Sequence, residues 1–370
     1  MANTQSTRLT PAGSLFPILQ TPALKGLARM SAEAVATDRG HLVEFRSMEV
    51  RSVLNRSVSK RQLSLAYSIN PYRGCEFGCK YCYARYTHEF LAPAPEKHAG
   101  DAHSAEVALP PAEMFERRIY LKKNAAWLLE QELRKIDPSQ EIALGTATDP
   151  YQPIERRARL TRSLLEVFSR KQGFRLGIVT KSQLVVRDLD LLETIARHNT
   201  LVVHLTITTT DADLARKLEP RAPRPKLRFQ AVRRLREAGI RTGVLCSPLL
   251  PGITDTEEAI DRVAREAAAA DASFLAAHPL FLKPCSRPTY LSFVREHFPA
   301  LEAEYAERFG TADFAARPYR QRMEAMVAGA CRRYGIAERS TDALLTRDAG
   351  AHRRGPAREG GRGGQQRLFA

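Results

Sequence analysis

Apolar positions along the chain fall into two patterns that alternate. Short runs rich in β-branched residues occur at LAYSIN (Leu65–Asn70), EIALGTATD (Glu141–Asp149), FRLGIVTKS (Phe174–Ser182), TLVVHLTITTTD (Thr200–Asp211), IRTGVLCSPLLPG (Ile240–Gly252) and ASFLAAHPLFL (Ala272–Leu282). Longer stretches such as RLTRSLLEVFSR, LVVRDLDLLETIARH, PKLRFQAVRRLREAG and TDTEEAIDRVAREAAAA separate them. The runs fit strands, and the stretches carry the three-and-four spacing of amphipathic helices. The pair recurs about six times at about 30-residue spacing, as parallel strands joined by crossover helices require. Such crossovers are right-handed, so the strands turn about a common axis. The expected fold class is α/β, a partial (β/α)6 TIM-like barrel; a flat doubly wound sheet is the alternative. Either fold gathers chemistry at the carboxyl ends of its strands. Gly239, after RRLREA, reads as a helix stop, and Thr254 or Asp255 as the cap of the next helix.

The flanks break the rhythm. Residues 1–60 are weakly periodic and read as a partly ordered arm. The barrel is assigned to 61–300, a helical extension to 301–346, and a disordered glycine- and arginine-rich tail to 347–370. Asp101–Leu109 reads as an inserted loop before the helix that contains Trp127. Met1–Gln20 lacks the basic, apolar and small-residue succession of a secretory signal, and no apolar stretch is long enough for a bilayer. A cytoplasmic protein that does not engage membranes is expected.

Charge adds a partner. The 57 Lys and Arg outweigh 41 Asp and Glu, for a formal net charge of +16. That surplus attracts polyanions irrespective of sequence, so nucleic acid is favoured, DNA over RNA. An arginine-rich compositional habit is the bland alternative.

Six cysteines are too few and too unevenly placed for a secreted disulfide scaffold. Three of them, Cys75, Cys79 and Cys82, stand at C-x3-C-x2-C spacing in NPYRGCEFGCKYCYAR (Asn70–Arg85). Zinc usually takes four protein ligands, most often from C-x2-C pairs. His88 would complete such a set, giving a non-catalytic nucleic-acid-binding module. The other reading is a [4Fe–4S] cluster held by three thiolates. Clusters ordinarily take four, so one iron is left open to an exogenous ligand.

This motif, on the loop after the first strand of a β/α repeat, resembles the radical S-adenosylmethionine superfamily over roughly Ala66–Pro284. Within it, GTATDPYQP, VTKS and LEPRAP are most similar to the spore photoproduct lyase-like branch, related to DNA repair. The resemblance implies that S-adenosylmethionine binds the open iron and is cleaved reductively. A 5′-deoxyadenosyl radical then abstracts hydrogen from substrate, with a flavodoxin or ferredoxin as electron source. It also implies a cofactor site. Tyr81 and Tyr83 flank the third cysteine to hold the cofactor or relay a radical, with simple packing as their alternative. Gly145 permits close approach, Thr148 and Asp149 face the amine, and Lys181 faces the carboxylate. Thr206 contacts ribose, and the backbone near Ser247 contacts adenine. The corresponding bland readings are helix capping for Thr148 and Asp149, a solvated lysine for Lys181, and strand propensity for Thr206.

One departure limits the resemblance. The branch uses a cysteine at the end of the second strand to return a hydrogen atom, and Thr146 stands there, so spore photoproduct lyase activity is not expected. Cys285, between Lys283 and Arg287 that would lower its pKa, is the substitute thiol; Cys246 and Cys331 read as buried structural residues. Glu219 and Arg221 are expected to pair and fix their loop, and His204 and His278 to be core residues. Finally, Gln365, Leu368 and Phe369 match three places of the short peptide with which bacterial proteins dock on the replication sliding clamp. A flexible tether would raise local concentration at DNA; a chance ending is the alternative.

Overall fold

Strand pairing follows chain order. In a computed structural model, which describes residues 35–36, 42–56, 65–91 and 110–338, six apolar runs form parallel strands β1 (Leu65–Ile69), β2 (Glu141–Leu144), β3 (Arg175–Thr180), β4 (Thr200–Thr206), β5 (Thr242–Leu249) and β6 (Leu275–Pro279). Each pairs with the next. Ile69 lies opposite Leu144, Leu144 opposite Ile178, and Ile178 opposite Val203. A doubly wound sheet reverses its strand order at a switch point. This sheet does not, and right-handed crossovers then curl it into the partial barrel. Leu54–Arg56 pairs antiparallel at the β1 edge. At the other edge a bridge joins Leu275 to Glu338.

The helices lie where periodicity placed them: α1 (Ala125–Glu132), α2 (Leu160–Ser169), α3 (Leu189–His198), α4 (Pro225–Glu237), α5 (Glu257–Ala269) and α6 (Arg317–Tyr334). In α5, Ile260, Val263, Ala264 and Ala267 make one apolar stripe that packs on the sheet. Its cap is Thr256, whose side chain accepts from Ala259 N at 3.2 Å. Thr254 and Asp255, the expected caps, instead bind Leu250 N and Gly252 N within the preceding turn. Gly239 follows α4 at φ +75°, as a helix stop requires. Core residues such as Leu144, Ile178 and Val203 are fully buried, each contributing about 1.5–3 kcal/mol.

Two smaller units build on the barrel. Leu42–Met48 pairs parallel with Arg118–Lys122, which in turn pairs antiparallel with Tyr72–Arg73. Val43, Phe45, Tyr72, Ile119 and Leu121 form the core of this unit. A second apolar cluster fills the carboxyl end of the barrel. There Cys75, Phe77, Cys79 and Tyr81 pack with Leu250, Leu280 and Leu282, and with Tyr290, Phe293, Tyr305 and Phe309 from two later helices. The cysteine loop is thus a core element. No described helix is long and apolar enough to cross a membrane. The arm before residue 35, the loop Asp101–Leu109, and the tail with Gln365, Leu368 and Phe369 lie outside the described residues.

Candidate active site

The cysteine loop leaves β1 at the carboxyl end of the barrel and is gripped along its backbone. Asn70 Oδ1 accepts from Ala147 N at 2.9 Å and Thr148 N at 3.1 Å, joining the loop to the end of β2. Gly74 has φ +86°, and a Cβ there would lie 2.8 Å from Arg118 O and 2.9 Å from Phe115 O, so no side chain fits. Cys75 N donates to Phe115 O at 2.9 Å and Lys80 N to Leu218 O at 2.9 Å. The buried Arg85 donates through Nη2 to Cys79 O at 2.9 Å and to Glu116 at 2.9 Å. Ser286, fully buried, donates to Cys82 O at 2.7 Å. Glu76 turns inward and accepts from Ile154 N at 2.7 Å. Burial pushes its pKa up to about 7, and the Ile154 N–H and the Arg221 guanidinium limit the rise.

This architecture sets Cys75 and Cys79 within the apolar cluster at the carboxyl end of the barrel, with Cys82 packed against it. Burial pushes the Cys75 thiol well above its ordinary range, and pushes Cys79 up to about 12 despite the nearby Lys181 ammonium. As thiolates, Cys75 and Cys79 are stable here only when a bound group brings compensating positive charge. The donor set therefore fits a metal cluster that binds with loss of thiol protons. His88 does not join it. Its ring is fully buried, Nε2 lies 3.2 Å from Arg118 O, and the ring packs edge-on to Phe115 at 5.3 Å. Burial lowers its pKa to about 4. Among the described residues no three His, Cys, Asp or Glu side chains gather as ligands of a single metal ion.

Opposite the loop stand the ends of β2 to β5. Gly145 has φ +92°, and a Cβ would meet Val179 O and Pro150 Cδ, both at 2.5 Å. Thr148 is buried and its hydroxyl donates to Tyr72 O at 3.2 Å. Asp149 accepts from Thr180 Oγ1, Tyr151 N and Lys181 N at 2.7, 2.9 and 2.7 Å. Burial raises its pKa against those three bonds. The Lys181 ammonium lies 5.6 Å from the centroid of the Tyr81 ring. Burial opposes its charge, but Cys79, Glu219 and Asp149 outweigh that and raise its pKa. Thr206 is buried, and its carbonyl accepts from Arg228 at 3.0 Å. Ser247 Oγ accepts from His278 N at 3.0 Å.

The two tyrosines part company. Tyr81 donates its hydroxyl to Glu219 and lies 3.1 Å from Thr208 Oγ1. Glu219 in turn pairs with Arg228, both nearly inaccessible. The expected Glu219–Arg221 pair is not formed: Arg221 reaches back and donates to Glu76 O. Arg228 occupies the apolar stripe of α4 with Val232 and Leu235. A lone arginine on that stripe was the available signal for it. Tyr83 donates to Thr146 O and packs on Phe281 at 5.0 Å, which stacks on Phe314 at 5.6 Å. Burial, then the Cys82 charge, raise the pKa of Tyr83.

Cys285 is half-buried, 3.7 Å from Ser286 Oγ, and so borders the cysteine loop. The expected activation by Lys283 and Arg287 is absent, because both turn to Asp313, at 3.7 and 3.0 Å. Burial raises the Cys285 pKa instead. Cys246 is buried with its thiol 3.7 Å from Thr208 O, and Cys331 packs within α6. Arg85, Ser286 and Arg228 were missed in the sequence. Arg85 carried a cue at the close of the cysteine motif and Arg228 one on the apolar stripe of α4; Ser286 carried none.

Comparison with known proteins agrees with this geometry. A family model described as the radical SAM superfamily matches residues 69–264. An uncharacterized protein of Mycobacterium tuberculosis, Rv2578c, is 30% identical over 317 residues, which cover 85% of this chain and 88% of that one. MJ0683 of Methanocaldococcus jannaschii is 31% identical over 191 residues, 52% of this chain and 63% of its own length. Among solved structures, a spore photoproduct lyase variant with bound AdoMet and dinucleoside spore photoproduct superposes with a TM-score of 0.57. It has 17% identity and covers 80% of each chain. At that identity the likeness concerns the fold.

Proposed function

The chain belongs to the radical SAM superfamily, and from that premise we propose that it binds a [4Fe–4S] cluster through Cys75, Cys79 and Cys82 and modifies or repairs a nucleic acid, DNA in preference to RNA. The observation that carries the cluster reading is the set of three cysteines on one gripped loop, Cys75 and Cys79 buried and Cys82 half-buried, with His88 Nε2 turned to Arg118 O. A cluster held there by Cys75, Cys79 and Cys82 would supply the electron for reductive cleavage of S-adenosylmethionine.

The chain's own residues do the rest. Lys181, held charged by its acidic neighbours, meets the cofactor carboxylate. Glu219 stays ionised: burial opposes its charge, but Arg228 and Lys181 outweigh burial and hold its pKa down. It fixes the Tyr81 hydroxyl. Asp149 faces the amine beyond the turn that Gly145 packs against Val179 O and Pro150, and Thr206 and the Ser247 backbone line the nucleoside end. Phe77, Phe115 and the aromatic row Tyr83–Phe281–Phe314 keep water from the mouth. The half-buried row is also the type of surface on which bases stack.

Hydrogen return is assigned to Cys285 or Tyr83. Their raised pKa values suit that role better than the nucleophilic one, because a protonated thiol or phenol still holds a hydrogen atom to give. The oxidised side chain regains one electron from the flavodoxin- or ferredoxin-type donor and one proton from solvent. The net charge of +16 supports a polyanionic substrate, and the sliding-clamp peptide at Gln365, Leu368 and Phe369 points to DNA.

Anaerobic reconstitution tests the core of this reading. About four irons per chain are expected, and dithionite with S-adenosylmethionine then yields 5′-deoxyadenosine. About one zinc per chain, or a loaded cluster that leaves the cofactor intact, refutes it. Deuterated DNA and RNA oligonucleotides identify the substrate by label transferred to 5′-deoxyadenosine. Cys285→Ala should keep its iron; loss of iron would make Cys285 a fourth ligand and close the open position.

A further inference from the structure

Behind the cysteine loop, between the short helix Ala212–Leu218 and the start of α4, lies a cavity of about 260 Å³. Its floor is apolar, from Ala212, Ala215 and Leu227, and its walls carry Arg216, Arg221 and Arg224 with no carboxylate among the lining residues. We propose that this cavity is a phosphate seat that holds a backbone phosphodiester of the nucleic-acid substrate beside the cluster loop; the inference rests on the nucleic-acid reading above.

Four observations support it. Size comes first: about 260 Å³ gives ample room for a phosphate group. Second, the charge is only partly compensated. Arg216 and Arg224 are exposed and form no ion pair among the described residues. Arg221 Nη2 is buried with no hydrogen-bond partner. The nearest carboxylate, Glu116, stands 3.9 Å from Arg221 and binds Arg85 at 2.9 Å. Third, Arg224 is the N-cap of the 13-residue α4 and no side chain caps that end; Pro225 has no N–H and Leu227 N donates to Arg224 O at 3.0 Å, so what α4 adds to this wall is the positive end of its dipole.

The fourth observation is that the site is built. Arg228 holds Pro223 O at 2.7 Å while pairing with Glu219, so the loop between them is pinned at both ends. Pro220, Pro223 and Pro225 restrict it further. Arg221 ties this loop to the cysteine loop. It donates to Glu76 O, its backbone N meets Phe77 O at 3.4 Å, and its guanidinium fills the space where a Cβ on Gly78 would lie 2.6 Å away. A phosphate seated among the arginines is therefore one layer from the loop that presents the sulfurs.

The test uses the full cluster-loaded chain and fluorescence anisotropy with two labelled probes. One is a short single-stranded DNA; the other has the same bases on uncharged methylphosphonate linkages. Arg216→Gln with Arg224→Gln is compared with Arg234→Gln plus Arg262→Gln, an equal charge change on exposed positions elsewhere. The expected result is about tenfold weaker binding of the charged strand and a salt slope smaller by about one for the pocket pair alone. Iron content and circular dichroism should be unchanged in both. Equal losses in the two pairs, or none in either, overturn the pocket while leaving the nucleic-acid reading intact. If the unaltered chain fails to favour the charged strand, the nucleic-acid reading falls, and inorganic pyrophosphate titrated by calorimetry decides the pocket. Saturable heat lost in the pocket pair keeps an anion site; absence of heat removes it.

Discussion

Replacing Glu219 with glutamine isolates the buried network at the mouth. Glu219 pairs with Arg228 where the two side chains are 2% and 1% exposed, accepts the Tyr81 hydroxyl, and lies near enough to Lys181 to raise its pKa. Glutamine keeps the shape but removes the one negative charge between two cations. Breaking a buried pair in this way costs about 3–5 kcal/mol. Arg228 keeps carbonyl partners at Pro223, 2.7 Å, and Thr206, 3.0 Å, which places the expected loss near 3 kcal/mol on that scale. For a chain of this size that lowers Tm by about 4 °C. Replacing Glu219 and Arg228 together by leucine should recover much of it, since apolar substitutes for a buried pair are often neutral. The pH sign follows from the lowered Glu219 pKa. Its contribution is full above the ordinary glutamate value and is lost as pH falls through the folded-state value, so Glu219→Gln should narrow its deficit in acid. Differential scanning calorimetry of apo chains at several pH values measures this. A loss under about 1 kcal/mol at neutral pH, or a deficit that grows in acid, refutes the network.

Gly78→Ala places a Cβ 2.6 Å from Arg221 Nη2 at φ +62°, and reconstituted iron per chain should fall by more than half; full loading would show that the loop tolerates the shift. His88→Asn should keep full iron loading, as a residue bonded to Arg118 O and not to metal. Its stability should also respond to pH: buried neutral His88, with its pKa lowered to about 4, contributes fully above about 6.5 and loses its contribution as pH falls toward about 4. Denaturant titrations at pH 7.5 and pH 5 should show the gap between the two chains shrinking in acid; a constant gap counts against a neutral ring. Lys122 is 8% exposed and its pKa is lowered to about 8 by burial and then by Arg73, so its charge is a burden at neutral pH. Lys122→Met should stabilise the chain by about 1–3 kcal/mol at pH 7, a gain that fades as pH rises through about 8 to 10.5; a destabilised Lys122→Met would mean the ammonium has a partner of real worth.

What the sequence revealed and what it hid divide along sequence distance. The six strands, their helices and the cysteine triplet are local patterns, and they appear where periodicity and spacing put them. Lys181 was legible for the same reason, since the end of a parallel strand in an α/β barrel has one destination. Contacts between distant residues were not. Ser286 meets the carbonyl of Cys82 across 204 positions, and Tyr81 meets Glu219 across 138. Leu42–Met48, within a region read as an arm, pairs parallel with Arg118–Lys122. In KLEPRAP the charges were visible but their partners were not. Proximity favoured Glu219 with Arg221, whereas the fold turns Arg228 inward to Glu219 and sends Arg221 to the cysteine loop. Cys285 failed in the same way: its basic neighbours in sequence are spent on Asp313.

Those distant contacts share one target, and that bears on how the site works. Phe115 O binds Cys75 N, Leu218 O binds Lys80 N, Arg85 binds Cys79 O, Ser286 binds Cys82 O and Arg221 binds Glu76 O. Phe115, Arg85, Ser286 and the Leu218–Arg221 stretch thus hold a loop of eight residues by its main chain rather than through its thiols. A loop held this way has lost its conformational freedom before any cluster arrives, so binding need not offset that entropy. The grip also places KLEPRAP, the Lys181–Tyr81 contact and the loop after β6 in one mechanical unit. A group bound at the arginine cavity and a group bound at the sulfurs then act on the same backbone. Substrate and cluster should therefore sense each other through Arg221 and Gly78, and Arg221→Lys, which keeps the charge but removes the planar fork, should weaken that communication while preserving net charge. The cluster's electron paramagnetic resonance spectrum with and without single-stranded DNA reads this out: a shift on DNA binding in the unaltered chain that disappears in Arg221→Lys supports the coupling, and an identical shift in both removes Arg221 from it.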